Sequence, residues 1–579
     1  MSGDKKRISG ILAVAFFTLL TYSILYLARN LDDNRLSSWQ WCFQPGVFWD
    51  VFIAISAGCI LSHFLSKVTL RGKNAAPFLF VMSSASASLF WSEPEAIADA
   101  SRYFTQAKYL ELYGVRYFFD QWGKVIPAWT DMPLVPFFYG LVFRIFGEVR
   151  VYTQIFNTML FSLSAVITYL IGKHLWDEEV GFYGGALLLG MPYLYSQVPL
   201  MLVDIPTMFF FLLAVLMFMK ALDKGGTMVV VSAFAIFLAF FSKYSTWLML
   251  SVLPVIVVVN FTQERLKGAE TGKTTALFLK TSYIIGLSAL FIGLAVSKEL
   301  SVISDQVKIL MAYQKPGLNR WGESFISIFF FQIHPLISAA ALYSIYSAVR
   351  KKNLKYMIVA WLIALVFLLE IRRTRYIIMV LPMLSLAAAY GMSRMENAYL
   401  KKFLLGCIIT SSLAVALFAY LPFMQKMSAV NLKEAGRFLD TLPERNAEVF
   451  ALVPAEPVVD PWVSVPLLDL FTQKRIIYNN VAVLSEGERE RIQNSSLRFT
   501  LELRVPSYYN GGSHTSEDNV LVIVSESAKD PIPSEIRQRM AGYSQIAVFD
   551  KYDGIFQYRT SVRVFRRIAG DAMPGFKAN

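Results

Sequence analysis

Long apolar runs alternate with short polar connections as far as residue 422, and then the pattern changes. A helix needs roughly 20 apolar residues to cross about 30 Å of hydrocarbon. Runs of that kind predict thirteen spans, at 8–29, 47–67, 75–91, 150–172, 180–198, 206–222, 227–242, 244–261, 276–296, 324–349, 356–371, 376–391 and 403–422. Beyond 423, strands are expected at 448–453, 474–478, 520–524 and 545–549, and helices at 431–440, 463–472 and 533–540. Such a mixture suits a small α/β domain of about 150 residues. Asn431 and Glu434 stand at capping-box spacing at the start of the first of these helices.

Composition removes the alternatives to a membrane protein. Only 17% of the 579 residues are charged and 55% are hydrophobic, against about 25% charged in soluble domains. Three cysteines at irregular spacing (Cys42, Cys59, Cys407) and four scattered histidines make neither a disulfide framework nor a zinc ribbon. Chemistry is left to carboxylates and basic groups. The net charge of +13 is distributed by side of the membrane. Basic residues collect at Lys5–Arg7 and, in alternate connections, at Arg71/Lys73, Lys173, Lys220/Lys224, Arg265/Lys267/Lys273, Arg350–Lys355 and Arg394/Lys401/Lys402. By the positive-inside rule the N-terminus is cytoplasmic. The first run lacks a small-residue cleavage site and is read as a retained span, not a signal peptide. An odd number of spans then puts the tail outside, together with 92–149 and 297–323. The expectation is a polytopic α-helical membrane protein of about 13 transmembrane helices with a C-terminal extracytoplasmic α/β domain. It divides as 1–92 (three spans), 93–149 (an external loop with juxtamembrane helices), 150–422 (ten spans) and 423–579.

The polar residues of the outer face carry the candidate chemistry. Ser92 and Glu95 form a capping box, and a helix continuing from there would align Glu95, Asp99, Arg102, Tyr103 and Gln106 on one face. Asp204, before Pro206, reads either as the N-cap of the sixth span or as a functional carboxylate at membrane depth. Lys243 reads as a snorkelling lysine or as a ligand for an anion on the same side. Arg372, Arg373 and Arg375, next to Tyr376, stand where basic residues should be scarce. Guanidinium groups grip phosphate oxygens bidentately, so the set asks for a phosphorylated lipid beside a general base. Other signals are weaker. Gly268–Thr274 has the wrong glycine spacing for a phosphate loop, His334 suits a packed polar group in a span, and Asn494-Ser495-Ser496 is a common triplet that also fits a glycosylation acceptor.

These residues resemble a known pattern. Asp99-Ala100-Ser101-Arg102-Tyr103 resembles the Asp-Glu-x-Arg-Tyr motif of GT-C type integral-membrane glycosyltransferases, the class of the aminoarabinose transferases and protein O-mannosyltransferases. Trp129-Thr130-Asp131-Met132-Pro133, Val203-Asp204-Ile205-Pro206, Phe241-Ser242-Lys243-Tyr244 and the stretch from Arg373 to Pro382 are similar to later features of that class, in the same order. The resemblance implies inverting transfer of a sugar from a polyprenyl-phosphate-linked donor to a glycan, lipid or protein acceptor at the outer face of the inner or plasma membrane. Asp99 would be the catalytic carboxylate with Asp204 as its partner, and Lys243, Arg372, Arg373 and Arg375 would hold the donor phosphate. Glu95, Arg102, Tyr103, Asp131 and Tyr376 would line the substrate site, with the external domain and the loop Tyr313–Arg320 as walls. No cofactor is required, although a divalent cation held by Asp99 and Asp204 is compatible with the residues. Membrane lipids are expected partners and nucleic acid is not. Three departures stand out: Ala100 replaces the second acid, Asp131 stands where the aminoarabinose transferases carry a lysine, and two extra spans precede the motif. The rival reading is a lipid or lipid-linked-sugar transporter or flippase. It predicts internal repeats or charge through the depth of several spans, whereas the charges here gather at one face.

Overall fold

The computed structural model describes residues 2–67, 74–266, 271–314, 322–452, 461–478, 506–510, 519–556 and 559–567. Among them, eight helices are long and apolar enough to cross a membrane: Arg7–Leu27, Pro45–Leu65, Arg150–Leu175, Asp204–Lys224, Ser245–Leu266, Gly272–Lys298, Thr374–Met392 and Ala398–Met424. The other five expected spans are modified. Ala75–Ser88, Thr227–Phe240 and Tyr356–Leu368 are shorter apolar helices. The expected span 180–198 is divided into Glu178–Leu187, Leu188–Gly190 and Pro192–Gln197. The expected span 324–349 is divided into Ser327–Ile333 and Pro335–Arg350. Both breaks have one cause. The ring of a proline drives the residue before it out of the helical region, and Met191 (φ −113°, ψ 99°) and His334 (φ 173°, ψ 130°) are those residues. A hydropathy run cannot see this. His334 turns the break to use, because its Nδ1 accepts the Leu336 N–H at 3.1 Å and caps the new helix.

The chain forms two compact units. The first comprises residues 1–93, 121–136 and 154–423 and packs helix on helix. Small residues permit close approach between Phe48–Leu65 and Ala398–Val415: a Cβ on Gly58 would lie 2.7 Å from Thr410 Oγ1, and one on Gly406 2.8 Å from Ser62 Cβ.

The second unit comprises residues 94–120, 137–153 and 424–579. It holds a five-stranded sheet of β1 (Asn446–Ala451), β2 (Arg475–Ile477), β3 (Val520–Ser525), β4 (Tyr543–Asp550) and β5 (Ser561–Arg567), in the order β2-β1-β3-β5-β4. The first three strands run parallel, and β5 is antiparallel to both β3 and β4. Every residue of β3 is buried, as a near-continuous apolar run requires. The sequence pattern missed β5, whose three arginines mask the inward-facing Val562 and Val564. Helices Val430–Asp440, Pro461–Leu470 and Ser534–Arg539 accompany the strands. The capping box at Asn431 is corrected. The helix starts one residue earlier, and the buried Asn431 amide instead donates to Lys551 O and Thr560 O while its oxygen accepts the Lys551 N–H. The triplet 494–496 and the glycine-spaced residues 268–270 lie outside the described residues.

Candidate active site

The helix Asp204–Lys224 begins at the carboxylate itself, and Val203 is its N-cap, without a side-chain capping bond. Asp204 is therefore not a cap. Its Oδ1 accepts from Lys243 Nζ at 2.5 Å and its Oδ2 from Arg375 Nε at 2.6 Å. Moving such charges out of water costs several kcal/mol per ion, and good geometry is needed to repay it. Here each carboxylate oxygen meets its own cation. Lys243 follows the end of Thr227–Phe240, so its side chain turns to Asp204 instead of extending along a helix. Arg375 is the second residue of a short 3-10 helix, Thr374–Val380.

Tyr376 joins a third cation to this group. Its ring lies beneath Lys243 Nζ at 5.2 Å and beneath the Arg373 guanidinium at 5.0 Å, and its hydroxyl accepts from Arg373 Nη1 at 3.3 Å. Lys243 keeps 20% of its side chain exposed, against 6% for Arg375. The lysine is thus the reachable cation. Arg372 stands apart: its guanidinium pairs with Glu370 at 3.1 Å, both side chains at least half exposed, and lies 5.7 Å from the Phe325 ring centre.

Asp131 is buried in the same unit, in a tight segment that includes Trp129 at φ +48°. A bulky residue in the left-handed region is strained and marks a position fixed by its surroundings. The fixing group is Gln306, whose amide donates to Asp131 O at 2.7 Å and Ala128 O at 3.3 Å while its Oε1 accepts from the Tyr244 hydroxyl. Sequence reading missed Gln306, the buried residue of the helix Leu300–Ile309, because nothing in the local pattern marks it. It also missed Glu323 and Thr374. Burial raises the Glu323 carboxyl, and hydrogen bonds from Thr374 counter that shift. Of the loop Tyr313–Arg320, the side chains lie outside the described residues.

Asp99, Glu95, Arg102 and Tyr103 belong to the second unit. The expected helix from Glu95 does not form, because the helix Asp99–Gln121 starts four residues later. Glu95 is fully buried and takes Arg150 Nη2 at 3.0 Å and Nε at 3.1 Å. Asp99 opens the helix with 27% of its side chain exposed, 3.8 Å from Arg102 Nη2. Arg102 in turn donates to the Tyr103 hydroxyl at 3.3 Å. Asp99, Arg102 and Tyr103 are thus consecutive contacts on the first turns of one helix, and Glu95 is not on that face.

This arrangement of helices recurs in solved structures. ArnT from Cupriavidus metallidurans bound to undecaprenyl phosphate is 12% identical, with 86% of this chain and 99% of that one covered and a TM-score of 0.50. The same protein in the apo state gives 11%, 85%, 98% and 0.50. Residues 130–285 match the family model for dolichyl-phosphate-mannose-protein mannosyltransferase. The fold is that of a GT-C type membrane glycosyltransferase. No curated protein matches the sequence. The segment matched to that family model contains Asp131, Asp204 and Lys243, but neither Asp99 nor the arginine loop. A divalent cation fits poorly at Asp204, since it would have to displace Lys243 or Arg375 from an oxygen. Among the described residues no group of three or more His, Cys, Asp or Glu side chains could hold a metal ion.

Proposed function

We propose that the chain is an inverting glycosyltransferase that moves a sugar from a polyprenyl-phosphate-linked donor to an acceptor at the outer face of the membrane. The observation that carries this reading is the buried Asp204 held between Lys243 and Arg375, with Arg373 sharing Tyr376. Three cations gather on Asp204 and Tyr376 at a site made of residues at span ends, where a lipid phosphate arrives. In the reaction, the bond from the anomeric carbon to the donor phosphate breaks as the acceptor oxygen attacks from the opposite side. Asp99 takes the acceptor proton, and polyprenyl phosphate departs. Negative charge grows on the phosphate as it leaves, and fixed cations at low dielectric stabilise charge where it develops. Asp204 serves by aiming Lys243 and Arg375, which leaves the proton transfer to Asp99, since Ala100 offers no second acid. The acceptor is a glycan, lipid or protein, and the enzyme sits in the inner or plasma membrane with its N-terminus inside and its tail outside.

The test is release of polyprenyl phosphate from a panel of polyprenyl-phosphate sugars by the purified full chain in lipid. Asp99→Asn should slow release by about 10²–10⁴-fold while undecaprenyl phosphate still binds. Equal rates would remove Asp99 from the chemistry. A folded wild-type protein that releases nothing from any donor, whatever acceptor is supplied, would overturn the donor class.

A further inference from the structure

The first two spans have a use in the first unit. Their connection, residues 28–44, reaches the arginine loop through Glu323. Glu323 is 3% exposed and Thr374 is fully buried. The Glu323 N–H donates to Arg372 O at 2.5 Å. Its Oε2 accepts both the Thr374 N–H at 2.8 Å and the Thr374 hydroxyl at 2.7 Å. Thr374 opens the 3-10 helix that carries Arg375, and the N-cap residue Arg373 supplies no side-chain cap of its own. A helix end needs such a partner, and here another segment provides it.

Glu323 is itself braced. Its Oε1 accepts the Arg35 N–H at 3.4 Å, and Asn34 Nδ2 reaches the Thr374 hydroxyl at 3.5 Å. Next to it, Asp33 takes the Ser324 N–H with both oxygens at 2.9 Å. The fully buried Asp32 takes Ser327 Oγ at 2.5 Å, Gln332 Nε2 at 2.8 Å and the Trp39 N–H at 2.6 Å. Three consecutive residues of the connection, Asp32 to Asn34, thus lock the segment 323–332 and touch the arginine loop.

We propose that Glu323 is a positioning residue for phosphate binding, setting the main chain between Arg373 and Arg375, and that the Asp32–Arg35 connection is its brace. The inference rests on the phosphate-holding role given above to those arginines. A cap lost from buried backbone leaves the Thr374 N–H unsatisfied and lets the loop move, and a guanidinium displaced by an ångström loses its bidentate geometry.

The experiment is equilibrium binding of undecaprenyl phosphate to the full chain in detergent, for wild type, Glu323→Ala, Glu323→Gln, Thr374→Val and Arg375→Ala, with size-exclusion profiles in parallel. Glu323→Ala should weaken binding about tenfold, and Glu323→Gln, which keeps an acceptor oxygen, should restore most of it. Thr374→Val should fall between them, because it keeps the backbone donor and loses only the hydroxyl. If Arg375→Ala weakens binding and Glu323→Ala does not, the brace is wrong and the phosphate site stands. If neither does, the phosphate site itself is wrong. Should Glu323→Ala fail to fold, Thr374→Val and Glu323→Gln carry the test, and binding in Thr374→Val equal to wild type overturns the inference.

Discussion

Each unit buries a cluster of charge, and the two clusters have inverse stoichiometry. In the first, one carboxylate, Asp204, stands between two cations at 2.5 and 2.6 Å. In the second, one cation, Lys108, stands between two carboxylates, Asp469 at 2.6 Å and Glu148 at 3.0 Å. The surplus of the second is quenched from within. The Tyr509 hydroxyl donates to Asp469 at 2.7 Å. Burial, then the Asp469 charge, push Glu148 well above its ordinary value, and Lys108 opposes that shift. Although burial disfavours the Lys108 ammonium, Asp469 and Glu148 hold it charged, and the rings of Phe104, Tyr508 and Tyr509 surround it at 5.4 to 5.7 Å. The first cluster is built the other way, with cations on both oxygens of one buried carboxylate. A buried ion pair alone is therefore no sign of function. The sign of the charge left over, and whether neighbours can remove it, separates a binding site from a structural clasp.

Removing the central group should break the two clusters unequally. Asp204→Ala strands Lys243 and Arg375, and a buried pair broken from one side costs about 3–5 kcal/mol. Melting in detergent should fall accordingly, and excess undecaprenyl phosphate should restore part of the loss, because a bound anion replaces the missing carboxylate. Lys108→Met strands two carboxylates, one of which burial already shifts toward its neutral form, so about 1–3 kcal/mol is expected, and undecaprenyl phosphate should restore none of it. Restoration in both variants, or in neither, would erase the distinction.

The same contrast has a pH signature. Glu148 has a folded value above its ordinary 4.5, so its contribution to stability is fully present below about 4.5 and is lost as pH rises through the folded value. Melting of the second unit should decline with rising pH, and Glu148→Gln should flatten the decline. Lys108→Met should steepen it, because the cation that opposed the shift is gone. A flat profile in wild type would mean that Glu148 is ionised throughout and that the quenching described above is absent.

The sequence made most of this legible where periodicity or order along the chain carries the information. Four strands of the sheet fell on the expected apolar stretches, and β5 escaped because its arginines hide two inward valines. Eight spans were readable by length, but the breaks at His334 and Met191 depend on the proline that follows each, which a hydropathy window averages away. At the candidate site, the motif order selected Asp204, Lys243 and Arg375, which the fold brings into contact from three distant stretches. Local reasoning read Asn431 as a helix cap and left a cap open for Asp204, since a capping pattern does not say whether a better partner arrives from elsewhere. Glu323 was invisible for that reason: its worth lies in the main chain of Thr374, 51 residues away.

The smallest expected effect concerns the arginine that adjacency in sequence grouped with the other two. Arg372 pairs with Glu370, the side chains 50% and 70% exposed, and exposed pairs of this kind contribute about 0–1 kcal/mol. The extended backbone at Arg373 (φ −149°, ψ 119°) turns successive side chains to opposite sides, so Arg372 leaves the group that holds Tyr376. Arg372→Ala should leave melting unchanged and alter undecaprenyl phosphate binding by less than about twofold. A larger loss would mean that the phosphate responds to a diffuse basic field instead of to two cations aimed by Asp204. Salt separates these cases: a diffuse field fades over a Debye length of about 8 Å at physiological ionic strength, while contacts at buried groups are screened much less. Binding by Arg372→Ala that matches wild type and loses little on raising salt would place the affinity in the buried cluster around Asp204.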